Sequence, residues 1–339
     1  MKFCNLENGI SVILCCHNSE HVLAPSIRAL ASQIISDLIP CEVILVDNNS
    51  TDRTIEMAKD NWESKEIKLR IVQEETPGLV FARIRGTVEV KHKITIFVDD
   101  DNILMPDYLS RVYHLFNNMP SVGVIGGFNK ALTKGSFPWW FKDFMSVYAC
   151  GPQRSTSGFV TYTRKYLFGA GLSIRTEILK KIFFSNFLSY LVGRTGDRLL
   201  RGEDSEICMK CILMGWELWY DELLCLEHYI QRKRLSWSYV CEALTGVGRA
   251  AVILDIYKRL INESKKSNCF HLFYDILIKW IAFIVRGKIL RIKKEGDLDS
   301  AKFNNLKGFT FEAFRCIGRY KRISNNIYKI VGHCCHDRY

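Results

Sequence analysis

Three consecutive carboxylates, Asp99, Asp100 and Asp101, close the run ITIFVDDDN at residues 94–102 of a 339-residue chain. Adjacent carboxylates repel one another and do not belong in a core, so the cluster asks for a cationic counterpart. Hard ions such as Mg²⁺ or Mn²⁺ take oxygen ligands and share a few carboxylates with substrate phosphates. The alternative is a solvated acidic turn ahead of the helix that starts near Pro106. A second pair, Glu203 and Asp204, opens a predicted helix after a polar loop from Gly193 to Gly202. The first turn of a helix favours a charged carboxylate, the form that takes up a proton. An ordinary helix cap is the plainer reading of that pair.

Strands and helices must bring such groups together. Ile94, Ile96, Phe97 and Val98 read as a buried strand that ends in the acidic cluster. Further strands are predicted over residues 10–16, 42–46 and 68–72. Helices are predicted from about Val22 to Ile35, and from a Ser50 or Thr51 cap to about Trp62. A third follows the break at Thr76, Pro77 and Gly78 and carries Arg83 and Arg85. This alternation indicates right-handed βαβ units and a parallel sheet. The polar strand ends then share one edge: Cys16-His17-Asn18, Asp47-Asn48-Asn49, and Asp99 to Asn102. Open α/β sheets bind ligands at that edge, and three converging polar ends favour a site over a stray acidic turn.

Composition narrows the classes. With 48% hydrophobic residues the chain can build a core, and a formal charge of +11 favours anionic partners such as nucleotide phosphates, an anionic membrane face or nucleic acid. The 13 cysteines lack a secreted framework spacing, which suits reduced thiols in the cytoplasm. Cys208 and Cys211 form a CxxC without a second pair, and His333-Cys-Cys-His336 reads as a frayed terminus. Met1 to Gly9 is not a signal peptide, and no apolar run reaches the ~20 residues of a spanning helix. Residues 246–251, GVGRAA, fit G-x-G-x-x-A but follow a helical stretch, so they are not a dinucleotide fingerprint. Phe270 to Arg286 is an apolar helix with one polar stripe at His271, Asp275, Lys279, Ala282 and Arg286. Arg286, Lys288, Arg291, Lys293 and Lys294 form a basic cluster behind it. An interfacial helix on an anionic inner leaflet, or a helix packed on the rest of the chain, would both suit that pattern.

The ordered segments EVILVDNNSTD (42–52), ETPGLVFARIRG (75–86), IFVDDDN (96–102), GAGLSIR (169–175) and GEDSEICMKCILMGWELWYDELLCLEHYI (202–230) resemble family 2 glycosyltransferases. FPWWFKDFMSVYACGPQ (137–153) resembles the bacterial surface-polysaccharide branch. The resemblance spans about residues 9 to 235. It implies an α/β GT-A domain over 1–235, with a helical, basic extension over 236–339. It implies an inverting transfer of a sugar from a nucleotide-diphosphate donor, a UDP-sugar foremost, to a hydroxyl of a glycan or lipid-linked acceptor. In that pattern Cys16, His17, Asn18, Glu20, Asp47, Asn49, Arg83, Asp99, Asp100 and Gly171 bind the nucleotide-sugar. Asp101, with Asp99 and His228, holds Mn²⁺ or Mg²⁺, and the imidazole tilts the choice toward Mn²⁺. Asp204 is the base, flanked by Glu203; the flat faces of Trp139 and Trp140 suit the sugar rings of an acceptor, with core packing the alternative for one of the two. Arg232, Lys233 and Arg234 either close over the diphosphate or form a solvated run. The expected setting is cytoplasmic, on the inner face of the membrane, with no nucleic-acid partner. One departure is plain: relatives often carry Pro-Thr-Tyr-Asn after strand one, where this chain has Cys15-Cys16-His17-Asn18. The competing classes are a nucleotidyltransferase with a similar nucleotide-binding half and a non-catalytic basic protein that binds membrane or nucleic acid. The first would normally carry a Gly-rich, basic loop after strand one, and this chain has none there. The second would not need Glu203 and Asp204.

Overall fold

The computed structural model describes residues 6–36, 38–184, 189–191, 194–195, 198–199, 201–263, 267–285 and 295–336. They form two compact units that interleave along the sequence. One, built on a sheet, comprises Met1–Leu132, Ala149–Asn186 and Trp216–Ile230. The other, helical, comprises Thr133–Tyr148, Phe187–Gly215 and Gln231–Tyr339, so segments before residue 235 join the C-terminal helices.

The sheet unit runs β1 (Glu7–Cys16), α1 (Leu23–Ala31), β2 (Cys41–Asp47), α2 (Thr54–Asp60), β3 (Lys68–Gln73), α3 (Leu79–Glu89), β4 (His92–Asp99), β5 (Asn102–Leu104), α4 (Tyr108–Asn118) and β6 (Val122–Leu132). After an excursion into the other unit come β7 (Gly158–Phe159), β8 (Ser173–Arg175) and α5 (Thr176–Phe184). The helical unit holds the short hairpin β9 (Arg194–Thr195) and β10 (Arg198–Leu199), and α6 (Glu203–Leu213). β11 (Glu217–Tyr229) returns to the sheet, and α7 (Trp237–Glu263), α8 (Cys269–Val285) and α9 (Leu298–His336) follow in the helical unit. Strand order is β3-β2-β1-β4-β8-β6-β11-β5, with β7 on β11. The first four are parallel, as the βαβ pattern predicts, whereas β8 is antiparallel to both β4 and β6.

Both faces of the parallel strands β1, β2 and β4 are covered. Val12, Leu14, Val43, Leu45, Ile96 and Val98 pack with Leu23, Ile27 and Leu30 of α1 and Leu109, Val112 and Phe116 of α4. The alternate residues Ile13, Ile44 and Phe97 are buried as well. That explains the near-continuous apolar runs. Helix α2 starts later than expected. Ser50 Oγ accepts the Asn18 amide (3.0 Å) and does not cap; Asp52 Oδ1 accepts the Thr54 amide (3.1 Å) instead.

In the helical unit α7 and α9 share a core of Val252, Ile256, Tyr257, Phe309, Ala313 and Tyr320. Their backbones touch at two glycines: a Cβ on Gly248 would lie 1.9 Å from the Asn305 oxygen, and one on Gly308 would lie 2.0 Å from that of Thr245. Packing on α9 therefore accounts for Gly248 within residues 246–251. Helix α8 packs inward through Leu272 and Phe283, which are buried, and two members of its polar stripe make ion pairs beside that contact. Arg259 Nη2 donates to Asp275 Oδ2 (2.7 Å), and Lys279 donates to Asp255 (3.3 Å) while lying over the Phe309 ring. Its outer face carries exposed Phe270, Phe273, Tyr274, Leu277, Ile278, Ile281, Ile284 and Val285. The basic cluster from Arg286 to Lys294 and the side chains of His333–His336 lie outside the described residues. No described helix is long and apolar enough to cross a membrane.

Candidate active site

Register aligns the strand ends. Cys16 of β1 stands opposite Asp47 of β2, and Cys15 stands opposite Asp99 of β4. Asp47 is buried, and its Oδ1 has no hydrogen-bond partner among the described residues. Leaving a buried acceptor unpaired costs about 1–3 kcal/mol, so this oxygen suits a ligand N–H or O–H.

The loop after β1 is clasped to the loop after β2. Asn18 Oδ1 accepts the Thr51 amide (2.8 Å), Glu20 Oε2 accepts the Arg53 amide (2.9 Å), and His17 Nδ1 is bonded to the Asn48 carbonyl (2.7 Å). Asn18 and Asn49 both adopt left-handed backbone, with φ of 51° and 60°. These side chains therefore shape the loops, while the His17 ring and Asn49 remain exposed beside them. Cys16 is a correction to its expected role. Its side chain lies in the apolar core and burial pushes its thiol pKa well up, so only its backbone is near the loops. Asn48, which the sequence reading passed over, is the joint of the edge. Its amide nitrogen donates to the carbonyls of Glu74 (3.0 Å) and Thr76 (2.7 Å), and its oxygen accepts the Gly78 amide (2.7 Å). Only its place in the polar strand end hinted at this.

The three aspartates point to three different neighbours. Asp99 Oδ1 lies 3.7 Å from Nη2 of Arg83, which is 1% exposed and stacked over Phe97. Asp100 accepts a hydrogen bond from Ser19 Oγ, and its carbonyl accepts one from Ser26 (2.8 Å). Asp101 Oδ1 accepts the Asn102 amide (3.0 Å) and lies 3.3 Å from His228 Nε2. Asn102 sits opposite His228 in the β5–β11 pair, and its Oδ1 accepts the Asp99 amide (3.2 Å). Burial opposes an imidazolium at His228, but the Asp101 carboxylate, with a smaller part from Cys150, outweighs it and raises the pKa to about 10. Gly171 has φ of 72°, and a Cβ there would meet the Tyr108 hydroxyl at 2.3 Å. Packing on Tyr108 thus requires glycine, independently of any sugar.

A divalent ion that took the place of the proton on His228 would fit the geometry of Asp101 and His228. Adjacent ligands of an octahedral ion at ~2.1 Å stand roughly 3 Å apart, close to the 3.3 Å between their donor atoms. No group of three or more His, Cys, Asp and Glu that could hold a metal ion occurs among the described residues. Two protein donors fit an ion that completes its shell from substrate phosphates and water. Asp99 faces Arg83 in this arrangement.

In the helical unit Gly202 caps α6, and Glu203 and Asp204 lie in its first turn, half-buried. Glu206, also unremarked in the sequence, fixes this helix. Its carboxylate is buried and accepts the amides of Tyr190 and Leu191 (both 3.0 Å) and the Tyr257 hydroxyl (2.8 Å). Arg201 Nη2 and Arg234 Nε both donate to the Tyr239 hydroxyl, at 2.7 and 3.1 Å, while Arg232 and Lys233 are exposed. The two tryptophans separate. Trp139 is 75% exposed, whereas Trp140 is 0% exposed, packed on Phe144 and Trp237, and donates to Glu295 (2.8 Å). Trp140 belongs to the core and not to an acceptor surface.

Against known proteins, the Glycosyl transferase family 2 pattern matches residues 11–183, slightly over half the chain. The uncharacterized glycosyltransferase alr2836 of Nostoc sp. is 26% identical over 188 residues, covering 51% of this chain and 53% of that protein. The uncharacterized glycosyltransferase EpsJ of Bacillus subtilis is 31% identical over 101 residues, covering 30% and 27%. The chain thus spans about half or less of the length of these curated relatives. Among solved structures, S. aureus TarS 1-349 superposes with a TM-score of 0.51 at 16% identity, covering 98% of this chain and 92% of that one. TarS 1-349 in complex with UDP-GlcNAc gives 0.51 at 15% identity, covering 98% and 93%.

Proposed function

Since the chain belongs to glycosyl transferase family 2 and has its GT-A fold, we propose that it transfers a sugar from a UDP-sugar to a hydroxyl of a glycan or lipid-linked acceptor, with inversion at the anomeric carbon. The observation that carries this reading is the meeting of three strand ends, with the unpartnered Asp47 oxygen, the Arg83–Asp99 pair and the Asp101–His228 pair on one edge. Asp47 Oδ1 accepts a hydrogen bond from the uracil N3–H or a ribose hydroxyl. Arg83 holds Asp99 against the edge and lends it positive charge. A bound Mn²⁺ or Mg²⁺, held by Asp101 and His228, would neutralise the charge that builds on the departing diphosphate. Asp204 takes the proton of the acceptor hydroxyl as that oxygen bonds to the anomeric carbon. The bond from this carbon to the diphosphate oxygen breaks, and the nucleoside diphosphate leaves. A TarS structure that contains UDP-GlcNAc supports the choice of a uridine donor. Assembly of bacterial surface polysaccharide is the pathway we propose.

The place of work we propose is an anionic membrane surface. Eight apolar side chains line the outer face of α8, while Lys302, Lys307, Arg315, Arg319, Lys321, Arg322 and Lys329 are exposed on α9. Both carboxylates in the described part of α9, Asp299 and Glu312, are buried, so its exposed charge is positive. An apolar helix face with cationic surroundings suits an anionic headgroup layer.

Thermal unfolding with UDP, GDP, CDP and dTDP, each with and without Mn²⁺, tests the donor reading. A ligand at about 100 times its Kd adds roughly 2.7 kcal/mol, a visible shift in midpoint. We expect a metal-dependent shift with UDP that is lost in Asp101→Ala. A folded sample that responds to no nucleotide would leave the resemblance as one of fold only.

A further inference from the structure

The helical unit contains a cavity of about 390 Å³ bounded by Tyr190 and Leu191, by Arg249 and Ile253 of α7, and by the 312–326 stretch of α9. That volume is at the small end for ligand pockets. Four guanidiniums line it, Arg249, Arg315, Arg319 and Arg322, against the single carboxylate of Glu312. Glu312 is already engaged, since Oε1 accepts Arg315 Nε (3.1 Å) and Cys316 Sγ (3.2 Å). Arg315, Arg319 and Arg322 follow helical spacing, so α9 crowds like charges on one side, an arrangement that weakens a helix unless something neutralises it.

A second, independent observation gives the sign of the missing partner. The Tyr190 hydroxyl and Arg249 Nε are buried and have no hydrogen-bond partner among the described residues. Arg249 Nε can only donate, the Tyr190 hydroxyl can donate as well as accept, and both residues line the same cavity. Orphaned donors together with surplus guanidiniums call for a ligand that is negative and only accepts. We propose that this cavity binds a phosphoryl or diphosphoryl group, gripped by Arg249, Arg319 and Arg322 in the fork geometry arginine offers to phosphate, with Tyr190 donating to it. The site consists entirely of residues of the helical unit. It is tied to α6, because the Tyr190 and Leu191 amides are held by Glu206. The shared chemistry is a phosphate oxyanion, carried either by a soluble phosphate compound or by a lipid headgroup.

Calorimetric titration of the full chain with inorganic pyrophosphate, without divalent metal and with UDP at saturation, tests this. Binding should persist under UDP and weaken about tenfold or more in Arg319→Ala/Arg322→Ala, while Arg319→Lys/Arg322→Lys retains part of it. Both positions are exposed, so unchanged melting temperatures should accompany the loss. Tyr190→Phe should weaken binding by a smaller factor. Displacement of pyrophosphate by UDP, or equal affinity in the alanine variant, would overturn the proposal. Competition by short-chain phosphatidic acid and by vesicles containing phosphatidylglycerol, but not by pure phosphatidylcholine vesicles, would identify a lipid headgroup as the source. Competition by soluble phosphate esters alone would identify a free phosphate compound.

Discussion

On β1, β2 and β4 the apolar side chains are buried on both faces, and the polar groups are gathered at the strand ends. On α8 the apolar side chains divide: Leu272 and Phe283 are buried, eight others face outward, and Asp275 and Lys279 pair with α7 beside the contact. The backbone explains the difference. A strand covered on both faces has no exposed side, so its polar residues can escape only beyond its last ladder bond. A helix sorts its residues by turn, so one apolar run can send Leu272 and Phe283 inward and eight others outward. An apolar run in the sheet therefore marks core, whereas on α8 it marks a surface that awaits a partner.

If each region has the role assigned to it, substitutions should separate by region and by readout. Asp204→Asn in α6 should have the largest effect, lowering kcat by about 10²–10⁴, while metal-dependent stabilisation by UDP persists. A loss of UDP stabilisation would move Asp204 out of the role of base. Asp101→Asn at the sheet edge should lower kcat/KM by about 10²–10³ and abolish the Mn²⁺-dependent part of the UDP shift. Retention of that part would take Asp101 out of the metal site. Trp140→Ala should destabilise the chain by about 3 kcal/mol or more in denaturant unfolding, whereas Trp139→Ala should stay within ~0.5 kcal/mol and raise the KM for acceptor. On α8 the two faces should give opposite results. Asp275→Ala should reduce stability by about 1 kcal/mol through the lost Arg259 pair. Leu277→Lys/Ile281→Lys should leave stability within ~0.5 kcal/mol yet abolish co-sedimentation with phosphatidylglycerol vesicles. Unchanged sedimentation would mean that the apolar face serves something other than a membrane.

The parallel strands and their convergent ends were readable because each is a short local pattern and handedness fixes the rest. Asp47, Arg83 and Asp101 therefore fall where the sequence put them. What escaped depends on partners distant in sequence. Trp139 and Trp140 are chemically identical neighbours, and only packing against Trp237 of α7 makes one of them core. Cys16 looked like part of a polar exit, but strand alternation turns its side chain into the core below the edge. Asn48 and Glu206 hold loops through backbone groups, and no residue pattern marks which amide or carbonyl they reach. The facing of α8 was open for the same reason, since periodicity reveals a stripe but not which side of the helix meets its neighbour.

The glycine crossing of α7 and α9 has a mechanical consequence. Where carbonyls and Cα atoms of two helices meet without side chains between them, the joint acts as a notch: a one-residue slip, an axial step of about 1.5 Å, would drive a Cβ into a carbonyl. Sliding is blocked, and the shared core from Val252 to Tyr257 and from Phe309 to Tyr320 holds the two helices together beyond the contact. Arg249 sits immediately beside the notch on α7, and Arg315, Arg319 and Arg322 lie farther along α9. With the register of the two helices fixed at Gly248, the notch also fixes where Arg249 stands relative to the three arginines of α9.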